Sequence, residues 1–161
     1  MNSKTIKYII IILLLPVVPL KATAQTGIYY STNGQLSSSL INQLYQDQRG
    51  FIWISTEFGL NKFDGTHFTH YKHIDNDSTS LINNHVRGVF EDSYRNLWIR
   101  CLGGLMLYHP ETDDFELIKI EGKEGRHVTN IMELHNGEVW GITTGDTIFR
   151  INLTQKVIEP I

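Results

Sequence analysis

Residues 50–71 read GFIWISTEFGLNKFDGTHFTHY and contain three short runs rich in aromatic and β-branched residues. The three runs are Phe51–Ser55, Leu60–Phe63 and His67–Tyr71. Gly59 separates the first two runs, and the dipeptide Asp64-Gly65 separates the second from the third. An Asp-Gly pair between two apolar runs favours a two-residue hairpin turn, in which both central residues have φ > 0. The stretch therefore predicts a three-stranded antiparallel meander.

The pattern around Trp53 returns at Trp98 and Trp140, with spacings of 45 and 42 residues. Twelve residues before each Trp, a β-branched residue opens another apolar run; these residues are Ile41, Val86 and Val128. Four short strands in a period of roughly 40–45 residues are typical of a β-propeller blade. The alternative is a series of unrelated hairpins that happen to contain Trp. The match at several offsets at once argues against it.

We therefore predict an all-β chain, a partial β-propeller of about three four-stranded blades at residues 41–71, 86–118 and 128–159. The third copy slips after Trp140, where Gly145–Ile148 indicates one inserted residue. Ile28–Tyr30 has the pattern of a lone leading strand, of the kind that completes the last blade of a ring. Because the strands are apolar on both faces, Trp53 and Trp98 are expected to pack between neighbouring blades.

The first 24 residues predict a secretory signal peptide, with the propeller at residues 25–161. Lys4 and Lys7 form a positive start, an apolar run follows, and Ala22-Thr23-Ala24 gives a small-x-small cleavage pattern. The alternative is an uncleaved membrane anchor, but the run is short for a membrane span and two prolines interrupt it. We expect the mature chain to be exported to the periplasm and to have no membrane contact after cleavage.

Composition excludes several classes of function. The net charge of −3 gives no attraction to nucleic acid or to an anionic membrane surface. The single cysteine excludes an internal disulfide. No glycine-rich phosphate loop follows a strand into a helix, so we expect no cofactor of that kind or any other.

With the repeats aligned, the sequence resembles the two-component regulator propeller repeat. That repeat has an apolar strand, an acidic turn ending in Gly, Leu/Ile-Trp-Ile-Gly-Thr, Gly-Leu-Asn-Arg-Tyr-Asp and an aromatic strand. The best matches are Asp47–Gly50, Phe51–Thr56, Gly59–Asp64 and Phe68–Tyr71. Asp92, Trp98 and Tyr108 match in the second blade, and Val139-Trp140 matches in the third.

The resemblance implies the amino-terminal part of the periplasmic sensor of a hybrid two-component regulator, a family in which many members sense glycans. It implies an oligosaccharide as a possible ligand, and either the remaining blades of a longer sensor or self-association as partners. Three blades are fewer than the four to eight of a ring. The chain is expected to be a truncated gene product, a gene fragment or one piece of a longer reading frame, without kinase activity of its own.

The best candidates for ligand contact are polar side chains placed where the blades would meet a central channel. Asn42, Arg87 and Thr129 each follow the residue that opens the first strand of a blade. Glu57 and Arg100 lie near the turn between the second and third strands, which is on the same face. Geometry alone supports these five residues, since they form no recognised motif.

Other residues that could carry chemistry have simpler explanations. His67, His70 and His73 invite a metal ion, but on a strand His67 and His70 would point to opposite faces. We expect no metal there, and we expect roles in connecting turns for His85 and His127. Cys101 occupies the position of a buried framework residue. The adjacent carboxylates Asp113-Asp114 would diverge on a strand.

Two classes of function remain open. The first is a ligand-sensing module without catalysis, so that this chain is no enzyme. The second is a secreted propeller enzyme of the lyase or glycan-hydrolase type, or else a scaffold fragment. An enzyme would need acid and base groups that converge on one face, and the repeats offer no such set.

Overall fold

The computed structural model describes residues 30–31, 35–120, 127–145, 147–152 and 157–161. The predicted signal peptide at residues 1–24 and most of the predicted leading strand lie outside these residues. Tyr30, which ends that predicted strand, is described and does not lie in a strand. Within the described residues, no helix is both long enough and apolar enough to cross a membrane.

The first sheet is a four-stranded antiparallel meander in sequence order. Its strands are β1 (Ile41–Gln46), β2 (Ile52–Thr56), β3 (Gly59–Phe63) and β4 (Phe68–Tyr71). The aromatic and β-branched runs of the sequence form β2 and the two strands after it, as predicted.

Two further sheets repeat this order. The second contains β5 (Val86–Glu91), β6 (Leu97–Cys101), β7 (Gly104–His109) and β8 (Asp114–Ile120), and the third contains β9 (Val128–Glu133), β10 (Val139–Thr143), β11 (Ile148–Asn152) and β12 (Val157–Pro160). The outer strands β8 and β12 also pair in parallel, which joins these two sheets. The predicted fold class, a partial propeller of three four-stranded blades, is confirmed.

Strand register confirms the repeat and the insertion in its third copy. Trp53 pairs with Lys62 and Trp98 with Leu107. Trp140 pairs with Arg150, one residue further along the chain. The third hairpin therefore holds one more residue than the other two.

A buried aspartate holds the turn between the first and second strands in blades 1 and 2. Asp47 accepts the indole N–H of Trp53 at 2.8 Å and the backbone N–H groups of Arg49 and Phe51. Asp92 accepts the indole N–H of Trp98 at 2.9 Å in the same way. This is why the acidic turn recurs six residues before each of these Trp residues.

The two tryptophans are core residues of the blade interfaces. Trp53 is fully buried in a cluster whose other members come mostly from blade 2, and its ring meets that of Tyr108 edge-on at 4.9 Å. Trp98 is fully buried in a second cluster with Val128 and Phe149 of blade 3. The prediction that they pack between blades is confirmed, and each such burial contributes about 2–3 kcal/mol.

The predicted turn type at Asp64-Gly65 is wrong. The N–H of Asp64 donates to the carbonyl of His67, so Gly65 and Thr66 are the central residues. Only Gly65 has positive φ, at 102°. The side chain of Asp64 accepts the backbone N–H groups of Thr66 and His67, each at 2.7 Å, and these bonds lower its pKa to about 2. Asp64 is therefore the first residue of the turn, which its side chain caps, and not one of the two central residues.

Candidate functional site

The three first strands β1, β5 and β9 share a β-bulge near their beginning. The pairing register skips Asn42 in β1, Arg87 in β5 and Thr129 in β9. A bulged residue leaves the ladder and its side chain is re-aimed, which is why bulges are frequent beside functional sites. The three residues singled out in the sequence are thus the bulged residues of the three blades.

These residues lie at one end of the blades, which we call the loop face. It carries the bulged residues together with Glu57, His85 and Arg100. Glu57 contacts His85 at 3.1 Å, from the β2–β3 turn of blade 1 to the residue before β5. The structure therefore brings the five predicted site residues to one face, along three adjacent blades.

Three of the five donate a side-chain hydrogen bond to a backbone carbonyl. Asn42 donates through Nδ2 to the carbonyl of Val86 at 2.8 Å, which ties blade 1 to blade 2. The hydroxyl of Thr129 donates to the carbonyl of Ile142 at 3.0 Å, within blade 3. Arg100 donates through Nη1 to the carbonyl of Thr129 and so ties blade 2 to blade 3. Asn42 and Arg100 therefore hold neighbouring blades together, whereas Thr129 holds its own blade.

The sequence did not point to Gln43 and Gly88, which complete the arrangement. Oε1 of Gln43 accepts the N–H of Val89 at 2.6 Å, again from blade 1 to blade 2. A Cβ at position 88 would overlap both this amide and the guanidinium of Arg100. Gly88 therefore leaves room for the ends of two long side chains that cross the strand, and a glycine inside a strand pattern is the signal that could have found it.

Arg87 and Arg100 are both half-buried at the loop face. The Nε atom of each is buried and has no hydrogen-bond partner among the described residues. Burial, together with the charge of Arg87, lowers the pKa of Arg100. The Arg100 guanidinium lies over Gly88, the residue that follows Arg87, so the two positive charges are near each other.

A second polar cluster, which the sequence missed, joins blades 1 and 2 away from the loop face. Asp113, in a left-handed conformation with φ 57°, accepts the hydroxyls of Tyr71 and Tyr108. Lys62 donates to Tyr108 at 2.8 Å and pairs with Asp113 at 3.3 Å. Burial and the hydrogen bond to Asp113 raise the pKa of both tyrosines. Neither phenol is poised to act as a base, and the cluster fastens the interface.

His67, His70 and His73 each contact a different part of the chain. His67 precedes β4, so the prediction that it lies on a strand is wrong, and its ring contacts Thr66. His70 bonds to the carbonyl of Gln35, and His73 to that of Leu81. Among the described residues, no three His, Cys, Asp or Glu side chains form a group that could hold a metal ion.

Cys101 is fully buried, as its framework position predicts. Burial raises the pKa of its thiol to about 12. A thiolate nucleophile is therefore disfavoured at this position. Asp113 lies in the turn and Asp114 opens β8, so the pair has no shared face.

A family model described as "two component regulator propeller" matches residues 35–58, which include the turn at Asp47 and the Trp53 strand. Histidine kinase P4 of Formosa agariphila is 46% identical over 46 residues, which are 29% of this chain and 3% of that protein. The resemblance to the two-component regulator propeller repeat is thus confirmed.

Solved structures extend the likeness to most of the chain. The extracellular domain of the hybrid two component system BT3049 from B. thetaiotaomicron is 28% identical and superposes over 80% of this chain with a TM-score of 0.69. A second extracellular domain, of BT4673 from the same organism, is 20% identical with a TM-score of 0.66. Virginiamycin B lyase of Staphylococcus aureus, at 16% identity and a TM-score of 0.54, shares the fold. The chain spans 18–19% of the two sensor domains.

Proposed function

We propose that this chain, which carries the two-component regulator propeller repeat, is a ligand-binding part of the extracellular sensor of a hybrid two-component regulator. The observation that carries the proposal is the likeness to the extracellular domain of such a system over 80% of the chain. The ligand is an oligosaccharide, and the chain itself has no kinase activity. Export by the leader at residues 1–24 brings it to the periplasm.

The loop face is the proposed ligand surface. Its bulged first strands aim side chains from three blades at one region, and the bonds of Asn42 and Arg100 hold those blades in place. A ligand that contacts two blades there would change how they are held. Such coupling between a ligand and a blade interface is what a sensor requires.

The open sides of the arc are the proposed partner surfaces. Trp140 lies partly exposed beside a groove of about 240 Å³, which Met132 and Ile148 also line. On blade 1, Ile41 and Leu44 are 46% and 63% exposed. Their counterparts in the closed interfaces are buried against a neighbouring blade. Further blades, or a second copy of this chain joined head to tail, would cover both sides.

The enzyme alternative rests on the contact between Glu57 and His85, an acid and a base at the loop face. The corresponding histidine of the next blade, His127, accepts the N–H of Gly103 at 2.8 Å. A histidine at this position therefore holds a turn in both blades. Repetition of a structural contact favours the sensor over the enzyme.

One experiment separates these functions. A strain that lacks the chain is grown on a panel of purified polysaccharides, and both transcription of polysaccharide-use genes and release of products are measured. We expect induction to fail on one polysaccharide while the purified chain releases no product from it. Product release by the chain, with induction unchanged in the deletion strain, would contradict the sensor and support the enzyme.

A further inference from the structure

Arg87 is a charged residue whose buried Nε atom has no hydrogen-bond partner among the described residues. It is the bulged residue of β5, half-buried at the loop face. Neither it nor Arg100 takes part in any of the six ion pairs of the described residues. Glu57, the carboxylate near the start of β5, already pairs with His85.

The two arginines form a locally cationic point in a chain that is acidic overall. Gly88 pairs with Arg100 across β5 and β6, and the Arg100 guanidinium lies over Gly88, the residue that follows Arg87. Two like charges that are partly removed from water raise the free energy of the folded state. Buried polar groups without a partner are uncommon, and each needs a structural or functional reason.

Arg100 has a structural reason to be there, and Arg87 does not. Arg100 donates to the carbonyl of Thr129 and links two blades. The side chain of Arg87 makes no hydrogen bond within the described part of the chain. An uncharged side chain at this position would avoid the repulsion. The other bulged residues, Asn42 and Thr129, are neutral.

We propose that Arg87 and Arg100 together bind an anionic group, a carboxylate or a sulfate, on an oligosaccharide at the loop face. Guanidinium groups suit both anions because their N–H donors match two oxygens at once. Bound beside the pair, the anion would offset the repulsion between the two positive charges. This inference rests on the proposed function and narrows the ligand to acidic or sulfated sugars.

The test uses this chain, purified, and four probes. Calorimetric titrations compare tetragalacturonate, a chondroitin sulfate tetrasaccharide and cellotetraose, and thermal unfolding is followed with and without sodium sulfate. The variants are Arg87→Gln and Arg87→Lys. Arg95→Gln is the matched control, since Arg95 is exposed in the β5–β6 turn at the other end of the blade.

We expect at least one charged oligosaccharide to bind, and Arg87→Gln to weaken it at least tenfold. Arg87→Lys should recover part of the affinity, and Arg95→Gln should leave it within twofold. Without ligand, Arg87→Gln should keep or raise the melting temperature, because it removes a repulsion and breaks no bond. Sulfate should stabilise the wild type more than Arg87→Gln.

Two results would overturn the inference. One is a lower melting temperature of ligand-free Arg87→Gln than of Arg95→Gln, which would assign Arg87 a structural role. The other is binding of cellotetraose alone, which would leave the sensor proposal standing and remove the anion site. Conversely, sulfate stabilisation that depends on Arg87, with no oligosaccharide bound, would keep the anion site and contradict oligosaccharide sensing.

Discussion

The two blade interfaces inside the molecule and the two open sides of its arc present equivalent residues in opposite environments. Val86 and Val89 in β5 are 0% and 2% exposed beneath blade 1. Ile41 and Leu44 occupy the same positions in β1, and they are 46% and 63% exposed. A blade therefore has two apolar faces by sequence, and only its neighbours determine which of them is buried.

The Trp positions show the same contrast on the other side of each blade. Trp53 and Trp98 are 0% and 1% exposed, each covered by the following blade. Trp140 is only partly buried, with Met132 and Ile148 half exposed beside it. The framework residue is thus present in all three copies, whereas its contribution to stability depends on a covering blade.

The largest test of this comparison replaces each Trp by Ala. Trp53→Ala and Trp98→Ala should each lower the free energy of unfolding by about 3–5 kcal/mol, because each opens a cavity in a closed interface. Trp140→Ala should cost less, about 1–2 kcal/mol, because its ring is only partly buried and lacks a covering blade among the described residues. Denaturant titration followed by far-UV circular dichroism measures all three variants.

Lys72→Ala, an exposed change in the connector after β4, is the control and should stay within about 0.5 kcal/mol. Equal decreases in the free energy of unfolding for the three Trp variants would mean that Trp140 is covered in solution. If the decrease for Trp140→Ala becomes smaller when the protein is diluted, the cover is a second copy of the chain. Near-neutral results for all three would contradict their assignment to the interfaces.

Replacing the acidic residue that accepts the Trp indole N–H should also destabilise a covered blade more than the uncovered third blade, by a smaller free energy than replacing the Trp itself. Asp92→Ala removes the acceptor of the buried Trp98 indole and of two turn N–H groups, so we expect a loss of about 2–3 kcal/mol. Glu138→Ala removes the acceptor of Trp140 at 3.0 Å, but water can replace it there. We expect less than about 1 kcal/mol for Glu138→Ala. The same denaturant titration compares them, and equal losses would contradict the difference in burial.

Much of the fold was predictable because it repeats. Each blade supplied an independent copy of the Trp strand and its turn, so even the weak third copy was recognised. Its weakness has a physical cause: Leu134 stands where Asp47 and Asp92 hold the first two turns, and Glu138 takes over the bond to Trp140. The Asp64-Gly65 turn type was mispredicted because Asp64 can cap a turn as well as sit inside it.

The candidate site was only partly predictable. The polar residues that follow Ile41, Val86 and Val128 indicated the positions, but alternation along a strand does not reveal a bulge. The nearness of Arg87 to Arg100 and the crossing over Gly88 depend on a strand register that skips Arg87 and pairs Gly88 with Arg100. The cluster of Lys62, Tyr71, Tyr108 and Asp113 joins residues of two blades that are about 40–50 positions apart, and nothing local marks it.

The turn after the first strand has a smaller effect on stability, and this effect should be similar in every blade because it depends on local backbone conformation. The fourth residue of the turn after each first strand has positive φ: 91° at Gly50, 67° at Arg95 and 83° at Gly137. Gly50→Ala should cost about 1 kcal/mol although its Cβ would meet no atom, and Arg95→Gly should gain up to about 1 kcal/mol. Chemical denaturation measures both. A Gly50→Ala variant as stable as the wild type would contradict the left-handed turn.

Charged substitutions on the open sides of the outer blades should have the smallest effect on stability and the clearest effect on self-association. Leu44→Lys places a charge on the open side of blade 1, where the side chain is already 63% exposed, so the free energy of unfolding should change by less than about 0.5 kcal/mol. Exposed apolar patches of several hundred Å² promote association. If a second copy covers this side, Leu44→Lys and Met132→Lys should each lower the sedimentation coefficient at high protein concentration. Val89→Lys, the buried counterpart in β5, should instead unfold the chain. A wild type that stays monomeric at every concentration would show that the open sides need no second copy.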